Sequence, residues 1–193
     1  MRQFAVVLSV VAVVTLGTPV GIRPPTVVAQ DATPSSGASP TADCPSTSEA
    51  ENEAMVRRYT EERWTDPNVH TTLVSDELVV HRARGNETRN VAEAQEADRA
   101  IGAGFPDVQV TVEALVIDGE LAAVAWSAEG TNQGEFYGVP ATGQTGRWEG
   151  VQLIRIACGQ IVEVWESADA LGLLYQLGTI TDEELASVGT PTP

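Results

Sequence analysis

The chain has 193 residues, 42% apolar and 5% aromatic, and sets 27 Asp and Glu against 11 Lys and Arg for a formal net charge of −16. That is room for one ordinary domain with extensions. So acidic a chain argues against nucleic acid or an anionic membrane surface as partner, because the faces that bind phosphate are basic. Every basic residue is Arg and Lys is absent, which removes Schiff-base chemistry, pyridoxal phosphate included, and removes the P-loop.

At the amino terminus Met1-Arg2-Gln3 is a short, weakly positive start, Phe4 to Leu16 is almost entirely apolar, and Gly17 and Pro19 break the run. Val27-Val28-Ala29 then offers small residues for cleavage. This order predicts a secretory signal over 1–29. The apolar run is shorter than the ~20 residues a membrane span needs, so no stable insertion is expected after cleavage. The alternative is an uncleaved anchor. Residues 30–47 are rich in Pro, Ser, Thr, Gly and Ala without apolar periodicity, the composition of a flexible linker. A domain over 48–188 and a disordered tail over 189–193 complete the reading. The expected location is secreted or extracytoplasmic, where Cys44 and Cys158 can pair. Two independent thiols are the alternative.

Within the domain, Ser48-Glu49-Ala50-Glu51 is a capping box opening a helix. Met55, Val56, Tyr59 and Trp64 give it a buried side, and Asp66-Pro67 stops it. A short helix and an extended piece ending at His81 should follow, then a helix from Val91 to Ile101 ended by Gly102 and Gly104. The period then changes to two. Val108, Val110 and Val112 alternate with polar residues, and Asp118-Gly119 signals a turn into a strand over 121–128. A Gly-rich connection is expected from 130 to 150. Strands over 151–157 and 161–165 flank a turn at Cys158-Gly159. A short apolar segment follows at 171–177, and a last helix opens at Thr181. Helices first and an antiparallel meander afterwards predict an α+β domain, whose curved sheet would enclose a pocket against the helices.

No G-x-S-x-G, H-E-x-x-H or helix-opening G-x-G-x-x-G is present, so hydrolase, zinc-peptidase and dinucleotide signatures are missing. The Cys and His show no metal-ligand spacing. What remains suits general acid–base catalysis or the binding of a hydrophobic small molecule. Asp169, just past the last strand, shares a strand face with Trp165, where an aromatic wall would raise a carboxyl toward the range useful for proton transfer. Capping of the next segment is its other available role. His81 ends an apolar run, a place that suits a structural His as well as a functional one. His70 receives no role. Asn86-Glu87-Thr88 is a glycosylation tripeptide by pattern alone.

Phe105-Pro106-Asp107-Val108, the stretch from Gly130 to Gly143, the hairpin Ile154 to Trp165, and Asp169 followed by Leu171 to Gly178 together resemble the SnoaL-like polyketide cyclases, or ester cyclases, over roughly residues 50–178. The resemblance implies the nuclear transport factor 2-like fold: a cone of curved, mainly antiparallel sheet packed against helices around a deep pocket, in a homodimer. It also implies an intramolecular aldol reaction without metal or cofactor. Asp169 matches the family's acid/base position and His81 a pocket His. Trp64, Phe105, Trp126, Tyr137 and Trp165 would line the pocket. A secreted binding module without catalysis is the alternative.

Overall fold

The computed structural model describes residues 44, 46–82, 87–88 and 90–188. The expected signal segment, most of the linker, Asn86 and the tail lie outside these residues.

Helix α1 (Glu49–Glu62) starts where the sequence places it. The Ser48 hydroxyl accepts from the Glu51 amide, and the Glu51 carboxylate accepts from the Ser48 amide at 2.8 Å, so two orphan amides are satisfied reciprocally. Its buried residues are Asn52, Val56, Tyr59 and Thr60, a stripe at helical spacing that continues into Arg63 and Trp64. Helix α2 (Asn68–Leu73) follows, then strand β1 (Val74–Arg82) and the two-residue strand β2 (Glu87–Thr88). Helix α3 (Val91–Gly104) is capped by Asn90, whose side chain accepts from the Glu93 amide at 2.8 Å. Strands β3 (Gln109–Asp118), β4 (Leu121–Thr131), β5 (Thr145–Ala157) and β6 (Gln160–Ala168) form the meander, and helices α4 (Ala170–Gln176) and α5 (Asp182–Val188) close the chain.

The strands make one sheet in the order β2-β1-β6-β5-β4-β3. All neighbours are antiparallel except β1 and β6, which run parallel. Register breaks interrupt β1/β6, β3/β4 and β5/β6, and such bulges bend a sheet. Helix α1 packs on β3 and β4 and α3 on β1, so the sheet has an inner and an outer face. Trp126 of β4, Gln152 and Ile154 of β5, and Val164 of β6 are buried on the inner face. Leu121, Val151 and Leu153 are exposed on the outer one.

Strand β5 begins at Thr145, six residues before the expected start at 151. Gly134, Gly138 and Gly143 lie in the expected connection, but Gly146 and Gly150 are strand residues. A Cβ at Gly146 would run into Leu173, and one at Gly150 into the Trp126 ring. Here glycine marks a close approach within a strand. Cys44 and Cys158 form a disulfide across 114 residues with Cα atoms 5.0 Å apart. It ties the chain before α1 to the β5–β6 turn, where Cys158 and Gly159 both have positive φ, 54° and 72°, as a two-residue type I′ turn requires. Closing so long a loop is worth up to about 4–5 kcal/mol in the chain-entropy description. The bond is compatible with an oxidising compartment.

Candidate functional site: a buried charged array inside the sheet

The inner face carries more than apolar side chains. Arg63, at the end of α1, points its Nη2 at the Glu166 carboxylate of β6 at 3.1 Å, and its Nε lies 3.8 Å from Asp98 of α3. The Arg63 and Asp98 side chains are 3% and 5% exposed. Three more groups fasten the carboxylates. Trp64 Nε1 donates to Asp98 at 3.1 Å, Gln152 Nε2 donates to Glu166 at 3.1 Å, and Arg82 of β1 donates to Glu166 at 2.9 Å. His70 of α2 brings Nε2 to 3.1 Å from Asp98, though not in line for a hydrogen bond. The array has an open end: Arg82 and Glu166 keep side-chain exposures of 25% and 17%.

Aromatic rings wall the guanidinium. Its Cζ lies 5.2 Å from the Tyr59 ring centroid, 5.0 Å from that of Trp64 and 6.0 Å from that of Trp126. Burial opposes the Arg63 charge, but the Glu166 and Asp98 carboxylates outweigh it and keep the group firmly cationic. Burial likewise works to raise the Glu166 carboxyl, and Arg63 and Arg82 overcome that, holding it below its ordinary range. Arg63 and Glu166 therefore stand charged beside Asp98 in a largely water-excluded space, where the attraction between them is strong.

The residues expected from sequence divide between the two faces. Trp64 and Trp126 meet inside the sheet, centroids 5.4 Å apart and edge to face. Phe105 is fully buried against Phe136 and Trp148, a core position behind the array. Tyr137 sits 69% exposed at a loop tip. Its phenol is held above its ordinary value by partial desolvation, with Arg82 opposing, and its ring packs on Phe136 at 4.6 Å.

Trp165 and His81 lie on the outer face. The imidazole stacks on the indole at 4.9 Å and 9°, and His81 Nε2 is 2.8 Å from Glu163. Asp169 is exposed, and its carboxylate accepts from the Gly172 amide at 2.8 Å, capping α4. Of the two roles the sequence allows, the cap is present in the structure. The physical reason is strand geometry. Asp169 lies one residue past β6, on the side of Trp165, and that side faces outward. His81 pairs with Trp165 in register, four residues and roughly 13 Å along an extended chain from Asp169. The two do not form a pair. Asp169 instead borders an open hollow of about 690 Å³ with Trp126, Glu113, Arg147, Val151 and Ser167, so the structure brings two of the expected site residues, Asp169 and Trp126, to one cavity.

Sequence reasoning passed over Arg63, His70, Asp98 and Glu166. A signal was present: Ala94 and Asp98 stand four apart on the buried stripe of α3, and Glu166 alternates with Val164 on the buried side of β6. A charge in a core-facing position must be paired or functional.

Residues 53–177 match the family model of the SnoaL-like polyketide cyclases. The chain belongs to that family. Among solved structures, it resembles a proposed SnoaL-like polyketide cyclase from Jannaschia sp. CCS1, with TM-score 0.63 and 23% identity over 69% of this chain and 95% of that one. It also resembles IdmH, a proposed polyketide cyclase from Streptomyces antibioticus, with TM-score 0.58 and 27% identity over 68% and 99%. A protein of ketosteroid isomerase-like fold from Catenulispora acidiphila matches with TM-score 0.54 and 17% identity over 75% and 100%. No curated protein matches the sequence. The fold is therefore the nuclear transport factor 2 and ketosteroid isomerase type. Arg63, Asp98 and Glu166 converge on the inner face of its sheet.

Proposed function

We propose that this SnoaL-like chain is exported and performs acid–base chemistry of the cyclase or isomerase type, without a cofactor, on a hydrophobic small molecule that enters the cone at its Arg82 end. The observation that carries this reading is the Glu166–Arg63–Asp98 array among Tyr59, Trp64 and Trp126. In an aldol-type closure a base takes a proton from the carbon beside a carbonyl, the enolate carbon attacks a second carbonyl of the same molecule, and the new alkoxide takes the proton back. Glu166 is the inner-face carboxylate at the open end of the array; Arg63 and Arg82 hold it charged, which leaves it free to take up a proton but also makes it a weaker base than an unpaired carboxylate. We assign it the acid/base role in place of Asp169. The absence of Lys agrees with a route that needs no Schiff base.

A second reading, a secreted binding module without turnover, is favoured by the dense filling of the inner face, where Trp64 also stacks on Trp148 at 5.8 Å. The resemblance further implies a homodimer, a reading supported by the exposed Leu121, Val151 and Leu153 on the outer sheet face; light scattering of the exported protein tests it.

Mass spectrometry of small molecules bound to protein exported by the native host decides between the two functional readings. A bound carbonyl compound that the wild-type protein converts and Glu166→Gln does not would support catalysis. A ligand bound and never converted would support the binding module.

A further inference from the structure

The acid–base reading of the inner face leaves His70 without a task, although the residue is built into the array. Helix α2 holds its imidazole at 1% exposure, with Nε2 3.1 Å from Oδ2 of Asp98. The other oxygen of that carboxylate takes Trp64 Nε1 at 3.1 Å and faces Arg63 Nε at 3.8 Å. The far end of the same guanidinium reaches Glu166 at 3.1 Å. His70, Asp98, Arg63 and Glu166 therefore form one line of contacts from α2 through α3 and α1 to β6. The imidazole is out of line for a hydrogen bond to Asp98, so what links the two is charge, which acts at short range whatever the angle. The other neighbours leave this line undisturbed. From α1 the Tyr59 ring meets the imidazole edge to face, centroids 6.1 Å apart, and burial pushes its phenol up, so it stays protonated. Helix α2 has no other titratable residue. Asp66, ahead of it, is engaged by Arg58 and the Asn68 amide. Glu93, Glu96 and Arg99 of α3 and Asp76 and Glu77 of β1 are exposed. Burial opposes a charged imidazole and an adjacent carboxylate favours one, and where such influences compete histidine is the side chain that changes charge in the physiological range.

We propose that His70 is the proton sensor of the array: it takes up a proton from solvent as pH falls, and the positive charge this adds beside Asp98 and Arg63 makes Glu166 a weaker base. A nearby positive charge favours the ionised form of a carboxyl, and with Asp98 facing a cation of its own, Arg63 is left to Glu166. His70 is thus a positioning residue that acts through Asp98 and Arg63. The consequence for activity rests on the reading of Glu166 as the acid/base: the site is quiet in acid and active toward neutral pH. The coupling is reciprocal. If a charge on His70 favours ionised Glu166, then ionised Glu166 favours the proton on His70 by the same factor, and that second half is measurable without any substrate.

The test is an NMR titration of the whole exported protein from pH 8 to pH 5, following the histidine ring signals. The chain has two histidines, so His81→Gln assigns both. The His70 signal should titrate within this range. Glu166→Gln should lower the proton affinity of His70 about three- to tenfold, the size expected for charges separated by one side chain in a partly screened interior. Asp98→Asn, which removes the adjacent charge, should lower it about tenfold or more. A His70 signal that stays flat across the range in the wild-type protein would overturn the sensor, and this point needs no variant to fold. A His70 titration identical in Glu166→Gln would overturn it as well. A coupled titration in a protein whose bound ligand is never converted would keep the sensor and remove the acid/base reading of Glu166, so the two fail separately.

Discussion

Strand β6 carries two charged constellations on opposite faces, and they differ in kind. Inside, Glu166 meets Arg63 and Arg82, with Arg63 and Asp98 almost wholly buried. Outside, Glu163 pairs with His81 at 2.8 Å and Arg155 at 2.9 Å, at side-chain exposures of 25%, 27% and 42%. The two carboxylates stand three positions apart in sequence; what differs is the partner, since Arg155 beside Glu163 is 42% exposed and Arg63 beside Glu166 only 3%. Exposed ion pairs contribute about 0–1 kcal/mol, whereas removing one partner of a buried pair leaves an uncompensated charge. The proposed chemistry, which needs held charges and little water, is assigned to the inner set on this ground.

The largest expected effect follows from this contrast. Arg63→Met leaves Asp98 and Glu166 facing each other without their shared cation and should destabilise the fold by about 3–5 kcal/mol, read by urea unfolding. A loss no greater than that of an outer-face variant would erase the distinction between the faces.

Glu166→Gln comes next and also tests the sign of its ionisation. In the folded protein the Glu166 carboxyl is held below its ordinary value of 4.5. Its contribution is then fully present above that value and is lost as pH falls through and below it. The variant should cost about 2–3 kcal/mol near neutral pH, less than deleting Arg63 because the amide keeps hydrogen-bonding capacity. The gap between the two melting curves should close in acid. A gap that widened in acid would mean a raised carboxyl, against the hold of Arg63 and Arg82.

Asp169→Ala removes one helix cap and should cost about 1 kcal/mol. Conversion of any substrate by the inner site should be unchanged, in contrast to Glu166→Gln. If turnover instead disappeared in the Asp169 variant, with melting little altered, the outer end of β6 would be the working one.

Much of the architecture was legible because periodicity reports burial: the Ser48 box, the alternation at Val108 to Val112, and the turn at Cys158-Gly159 all fall where side-chain chemistry puts them. The start of β5 was not, since the reason for Gly146 and Gly150 lies in Leu173 and Trp126, distant in sequence. The site was legible only in part. Trp64 and Trp126 are large and apolar and go inside wherever they fall. The role of Asp169 turned on which face of β6 looks inward, and a slip of one residue exchanges the faces. Arg63 and Asp98 come from two helices that meet only in the folded domain, so neither sequence neighbourhood announces the pair.

The smallest effect sharpens the comparison from the outer side. His81→Ala removes a partly exposed contact with Glu163 and a ring stacked on Trp165. Glu163 keeps Arg155 at 2.9 Å, and Arg155 still lies over the Trp165 ring at 5.6 Å, so the remaining charges stay matched. The expected cost is therefore about 0.5–1 kcal/mol, most of it lost stacking. Added salt should shrink the electrostatic part, because these charges lie within reach of the ion atmosphere. Urea unfolding of wild type and variant at low and high ionic strength measures both quantities. A penalty as large and as salt-insensitive as that of Arg63→Met would show that the outer cluster is held as tightly as the inner one, and the case for confining the chemistry to one face would fail.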